Sequence, residues 1–147
     1  RRDRTVSRGL GDVYKRQAYG RGVARYGLIH ADMRLANLLI DGGDTRLIDF
    51  DDCGFGWFMY DFAAGISFME EHPQVPALRE AWLDGYRAVR PLDREDEVEI
   101  DSFIMLRRMA LLAWTGSHAG TDLARSQAPH FAAGTARLAE AYLARFA

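Results

Sequence analysis

The tetrapeptide Asp41-Gly42-Gly43-Asp44 lies between two short apolar runs, Leu38-Leu39-Ile40 and Arg46-Leu47-Ile48, and this constrains the fold more than any other stretch. Paired glycines between aspartates suit the positive-φ positions of a tight turn, so the two runs read as buried antiparallel strands of a hairpin. Leu28-Ile29 reads as another short buried strand, preceded by a helical tail over 19–26 that Gly27 stops. Beyond Asp61 the apolar spacing becomes helical to the end of the chain. Val75, Leu78, Trp82, Tyr86 and Val89 recur every three or four residues up to Pro91, which closes that helix. Asp93 with Asp96 or Glu97 caps a long apolar helix through Phe103, Ile104, Leu111 and Leu112, and Leu138, Tyr142 and Phe146 give the last helix its stripe. A few strands followed by many helices predict an α+β fold in which helices predominate.

Composition limits the function classes. With 147 residues, 48% hydrophobic and 27% charged, the chain can bury the core of one globular domain. Its formal charge of -2 lacks the basic footprint of a nucleic-acid binder. Its one cysteine, Cys53, can form no intrachain disulfide, and no apolar stretch has the length of a membrane span or the flanks of a signal peptide. The expectation is a cytoplasmic protein with neither a nucleic-acid nor a membrane partner.

The start of the chain differs from the rest. Residues 1–17 hold six basic and two acidic side chains, whereas the remainder holds thirteen basic and nineteen acidic. The segment has no apolar period, and Lys15 is the chain's only lysine. We read 1–17 as an unstructured, non-native read-through segment, with a phosphate-contacting basic arm as the alternative. The folded unit is then 18–147.

The chemistry-bearing stretch is His30-Ala31-Asp32-Met33-Arg34-Leu35-Ala36-Asn37, followed after the hairpin by Asp49-Phe50-Asp51-Asp52. A turn centred between Gly42 and Gly43 sets Asn37 opposite Ile48 or Asp49. Asp32, five residues before Asn37, can reach the same end of the hairpin. Two carboxylates and a carboxamide around one small volume form a hard-oxygen site suited to Mg²⁺ with retained waters. A carboxylate left free of metal can orient and deprotonate a hydroxyl.

This H-x-D-x4-N pattern with a later strand-terminal Asp resembles the catalytic loop and metal motif of protein-kinase-like phosphotransferases. His30-Ala31-Asp32, Asp49-Phe50-Asp51 and Tyr60-Asp61-Phe62-Ala63 are more narrowly similar to the aminoglycoside phosphotransferase and choline kinase superfamily. The resemblance runs from Gly27 to the C-terminus and is strongest over 28–64. It implies the C-terminal lobe of a protein-kinase-like fold, with ATP as co-substrate and Mg²⁺ as cofactor. It further implies that Asp32 is the base facing an acceptor hydroxyl, that Asn37 and Asp49 hold the magnesium ions bridging the phosphates, and that Arg34 touches the γ-phosphate or is a solvated loop arginine. His30 becomes a structural residue of the loop, and Asp61 the helix aspartate that accepts the loop's N–H groups. Asp51 stands where protein kinases carry a glycine, and either touches a second metal or is solvated.

A complete enzyme of this superfamily also needs an N-terminal lobe with a Gly-rich loop, a strand lysine and a helix glutamate. None is recognisable before Ala18, so the chain is expected to be the C-terminal lobe alone, inactive in isolation, with an exposed apolar patch near the hairpin. The acceptor is expected to be a small molecule such as an aminoglycoside, an amino alcohol or a homoserine-like compound. A bacterial Ser/Thr protein kinase, a non-catalytic scaffold, and a hydrolase using His30, Asp32, Asp49 and Asp51 around two metals are the alternatives. Trp57, Phe58, Tyr60 and Phe62 are expected in the core rather than in a substrate cage. The acidic set Asp93, Glu95, Asp96, Glu97, Glu99 and Asp101 reads as a helix N-terminus and solvated face rather than an attractor for cationic substrates. Arg107, Arg108 and His118 are candidates for the acceptor pocket, and the sequence carries no code for the acceptor's identity or for oligomeric state.

Overall fold

A computed structural model describes residues 19–145; the expectations for 1–17 and for Phe146 lie outside the described residues. The described chain runs β1 (Tyr26–Ile29), a short 3₁₀ turn (Leu35–Asn37), β2 (Leu38–Asp41), β3 (Asp44–Leu47), β4 (Gly54–Trp57), α1 (Met59–Gly65), α2 (Val75–Val89), α3 (Arg94–Ser117) and α4 (Asp122–Ala144). It is α+β with helices predominating, as the order of elements predicts.

β2 and β3 form the hairpin, with Leu38 paired to Leu47 and Asp41 to Asp44. Gly42 takes φ +62° at the first central position of the turn, where a side chain would be strained. These strands are not buried, however: Leu39, Ile40 and Leu47 are 50%, 69% and 40% exposed. Together with the exposed Leu28, Ile48, Phe50 and Phe55 they make an apolar surface around the hairpin.

β1 pairs antiparallel with β4, a strand the sequence reading lacked, with Tyr26 opposite Trp57 and Ile29 opposite Gly54. The expected helical tail over 19–26 is also corrected. Of this stretch Tyr19 alone is helical, Gly20 takes φ +76°, and a turn closed by the Arg25 and Tyr26 N–H groups on the Gly22 carbonyl leads into β1. Gly27 thus lies inside a strand, where the Phe58 ring packs so closely that a Cβ would meet it at 2.8 Å.

The core joins α1 to the start of α3 and the middle of α2 through Met59, Phe62, Ala63, Ile66, Leu83, Ile100 and Phe103. Trp57, Phe58 and Tyr60 pack around it, which agrees with their core assignment. On α2 the buried residue is Leu83, and Val89 is 90% exposed, so the stripe ends at Tyr86. Asp93 does occupy the N-cap position of α3, but its side chain makes no capping bond. The acidic set does mark the helix N-terminus, with Asp93 and Glu95 exposed as expected, but Asp96 is buried and four members of the set are ion-paired. Arg25 reaches Glu95 at 2.8 Å and Asp96 at 2.7 Å, Arg87 reaches Glu97 at 2.6 Å, and Arg79 reaches Asp101 at 2.9 Å. These arginines tie the β1 approach and α2 to the first turns of α3. No helix among the described residues is long and apolar enough to cross a membrane.

Candidate active site

The loop after β1 is held from behind by α1. Asp61, in the first turn of α1, accepts the His30 N–H on Oδ2 at 3.0 Å and the Ala31 N–H on Oδ1 at 2.8 Å. Burial raises its pKa above the ordinary carboxylate value, against the lowering effect of those two N–H groups and of His30. The His30 ring spans the loop: Nε2 meets the Ile48 carbonyl at 3.0 Å, and Nδ1 accepts the Asp32 N–H at 3.4 Å. Both ring nitrogens are therefore engaged with backbone, which leaves neither as the metal ligand that a two-metal hydrolase would need.

Asp32 and Asn37 are both buried and touch each other. Asn37 Nδ2 donates to the Asp32 carbonyl at 2.8 Å and to its Oδ2 at 3.2 Å. Arg34 Nε donates to the same Oδ2 at 2.9 Å, so Arg34 is bound to the carboxylate of Asp32 and is not a free loop cation. The Ile48 N–H donates to the Asn37 carbonyl at 3.1 Å, one rung beyond the Leu38–Leu47 pair, which is the expected opposition. Asp49 follows at this end of the hairpin with an exposed side chain and φ +65°. Asp51 and Asp52 are exposed on the turn that the Cys53 N–H closes on the Phe50 carbonyl at 3.0 Å, and Cys53 is exposed beside them.

Three non-glycine residues take positive φ among the described residues: Ala31, Asp49 and Phe68. Ala31 is in the loop, Asp49 ends the hairpin, and Phe68 lines the cavity beside Asp32. Such backbone is costly for residues with a Cβ and is retained where neighbouring structure enforces it.

The donor types of Asn37 and Asp49 suit a magnesium ion. Asn37 turns its amide nitrogen to Asp32, which leaves Oδ1 of the carboxamide on the opposite side, and Asp49 adds an exposed carboxylate. Among the described residues no three His, Cys, Asp or Glu side chains gather into a metal cage. One amide and one carboxylate, completed by water and phosphate oxygens, are what Mg²⁺ takes in phosphoryl-transfer sites.

Asp32 opens into a cavity of about 300 Å³ walled by Arg34, Asp52, Phe68, Arg107, Leu111 and Trp114. Arg107 belongs to it, as the sequence allowed. Arg108 does not. It is buried on the far side of α3, bound to Glu70, to Thr135 Oγ1 at 2.9 Å and to the Phe131 carbonyl at 3.1 Å. His118 stacks on the Trp114 ring at 4.8 Å and is not among the lining residues. Phe68, Leu111 and Trp114 were not foreseen as site residues, because nothing local connects them to the loop. A second cavity of similar volume, lined by Tyr19, Phe103, Leu106, Met109 and Tyr142, shares no residue with this one and holds none of the loop groups.

Comparison with known proteins places the chain among phosphotransferases. The profile of the family described as "Phosphotransferase enzyme family" matches residues 14–97. The chain is 39% identical over 75 residues to a homoserine kinase of Neisseria meningitidis, covering 48% of this chain and 25% of that protein. It is 32% identical over 95 residues to an amicoumacin kinase of Bacillus subtilis, covering 58% and 28%. Among solved structures, a microcompartment-associated aminopropanol kinase matches with TM-score 0.83 and 46% identity over 95% of this chain and 44% of the other. The amicoumacin kinase hAmiN in complex with AMP-PNP, Ca²⁺ and Ami matches with TM-score 0.64 and 27% identity over 94% and 44%. The chain thus spans about a quarter of its curated relatives and under half of the solved ones.

Proposed function

The chain belongs to the phosphotransferase enzyme family, and from that membership we propose that it is the acceptor-side, C-terminal lobe of an ATP-dependent kinase that phosphorylates the hydroxyl of a small amino alcohol. The single observation that carries this reading is the placement of the Asp32 carboxylate. It is held by Asn37, Arg34 and Arg107, and it faces a small cavity with the aromatic side chains of Phe68 and Trp114 and the carboxylate of Asp52. Aromatic faces and an exposed carboxylate suit the ammonium end of an amino alcohol, and the likeness to an aminopropanol kinase and a homoserine kinase supports a small acceptor over an aminoglycoside.

In this mechanism Asp32 accepts a hydrogen bond from the acceptor hydroxyl and takes its proton as the oxygen attacks the γ-phosphorus of ATP. The P–O bond to ADP breaks, its electron pair leaves on ADP, and Asp32 returns the proton to solvent. Asn37 Oδ1 and the Asp49 carboxylate would hold Mg²⁺, which when bound offsets the charge of the phosphate oxygens. His30 and Asp61 keep the loop in its strained path, so that Asp32 needs no reorganisation when the acceptor arrives. The segment that grips the adenine and outer phosphates would be supplied by sequence upstream of this chain, and the exposed apolar surface around the hairpin supports a covering partner there.

The test is to recover the upstream reading frame from the source DNA, express the completed protein and follow ATP consumption with a panel of hydroxyl acceptors beside an Asp32→Ala variant. Acceptor-dependent turnover that the variant lacks is the expected result. A completed protein that binds ATP but phosphorylates none of the acceptors would instead favour a non-catalytic scaffold.

A further inference from the structure

The side-chain partners of Asp32 are divided unequally between its two oxygens. Oδ2 takes Arg34 Nε at 2.9 Å and Asn37 Nδ2 at 3.2 Å, whereas Oδ1 takes only Arg107 Nη2, at 2.5 Å. A carboxylate offers about two acceptor directions per oxygen. Oδ2 is therefore filled, and Oδ1 keeps one direction open among the described residues.

Arg107 reaches Oδ1 from α3, 75 positions along the chain. Its guanidinium is itself immobilised. Nε donates to Ser67 Oγ at 3.0 Å, and Nη1 faces the Ala31 carbonyl at 3.4 Å and the Tyr60 hydroxyl at 3.5 Å. The side chain is 14% exposed. Burial works against its charge, but Tyr60 and Asp32 outweigh that and hold it firmly cationic. A planar fork whose nitrogens meet Ser67, Tyr60 and the Ala31-Asp32 loop cannot turn without breaking several bonds together. Leu111 and Trp114, four and seven residues on, share the helical face of Arg107 and wall the cavity.

We infer that Arg107 is the positioning residue of the base: it fixes Asp32 so that the remaining lone pair of Oδ1 meets the acceptor's hydroxyl, and it does so from the same helix that walls the acceptor cavity. This rests on the phosphotransferase reading of Asp32. A lysine replaces it only in part, because a single nitrogen does not span Asp32, Ser67 and Ala31 as the planar fork does.

The experiment compares wild type, Asp32→Ala, Arg107→Lys and Arg107→Met in the completed protein, by ATP consumption with an amino-alcohol acceptor and by thermal melting. Wild-type turnover that Asp32→Ala abolishes secures the underlying reading. Against it, Arg107→Lys is expected to lower kcat by about tenfold and Arg107→Met by about a hundredfold, the scale of a misplaced reacting group, with KM for ATP little changed. In a further variant, Arg107→Ala, added guanidinium ion should restore part of the kcat. A merely structural arginine would lower the melting temperature and leave kcat per folded molecule unchanged. Folded Arg107→Lys with wild-type kcat, beside an inactive Asp32→Ala, overturns the inference and leaves the phosphotransferase reading intact; this variant decides alone if Arg107→Met does not fold. A wild-type protein without acceptor-dependent turnover overturns both.

Discussion

The carboxamide of Asn37 donates to two oxygens of Asp32 at once, its backbone carbonyl at 2.8 Å and its carboxylate Oδ2 at 3.2 Å. The side chain that fits a magnesium ion through Oδ1 is thus the one that steadies the base through Nδ2. Asn37→Ala removes both donors from a buried acceptor pair and is expected to cost about 1–3 kcal/mol in urea unfolding. In the completed protein it should also raise the Mg²⁺ concentration needed for half-maximal turnover. Unchanged magnesium dependence would separate Asn37 from the metal.

Asp61 gives a pH signature. Its pKa is raised in the folded chain, chiefly by burial. A raised carboxylate contributes stability that is fully present below the ordinary value of 3.8 and is lost as pH climbs through the elevated one. Asp61→Asn lacks this titration and sets an amide N–H₂ against a backbone N–H. The melting-temperature gap between wild type and variant should therefore narrow as pH rises out of the acid range. A gap that widens instead would mean that the two N–H groups outweigh burial.

Part of this site could be read from sequence because short-range chemistry determines it. Turn glycines set the hairpin register, and the register alone brings Asn37 opposite Ile48 and next to Asp49. β4 was missed because Gly54 and Gly56 weaken its strand signal and its partner lies far upstream at Tyr26–Ile29. Arg107 could be offered as a pocket residue but not tied to Asp32, since no periodicity encodes a bond across 75 positions. The acidic start of α3 was legible as a helix N-terminus, but its ion pairs were not. A helix N-terminus explains acids locally, while their arginine partners Arg25, Arg79 and Arg87 come from other elements.

Gly56 is expected to be intolerant. A Cβ there would meet Ile29 Cδ1 at 2.3 Å and Cγ1 at 2.9 Å, and Ile29 directly precedes His30 of the loop. Gly56→Ala should cost about 1–3 kcal/mol through overpacking. Gly43→Ala has open space around it and should stay within about 0.5 kcal/mol. Denaturant unfolding of the two variants side by side measures the difference.

The Arg108–Glu70 pair is the buried electrostatic commitment of the helical face. Both side chains are at most 4% exposed, Arg108 lies 3.6 Å from the Phe131 ring centroid, and Glu70 Oε1 has no hydrogen-bond partner. Arg108→Met leaves the Glu70 charge uncompensated and should cost about 3–5 kcal/mol. The double variant with Glu70→Gln should recover most of that loss, as read from urea midpoints. Equal loss in single and double variants would show that packing, not charge, dominates.

The chain's one cysteine, Cys53, is exposed and follows directly on Asp52, which lines the cavity beside Asp32. A single thiol at that address makes the 147-residue chain its own spectroscopic probe. An environment-sensitive dye attached to Cys53 labels one position of this chain, next to the acceptor cavity. Its emission, followed while candidate acceptors are added, would report occupancy apart from turnover and so allow ligands to be ranked before any phosphate is transferred.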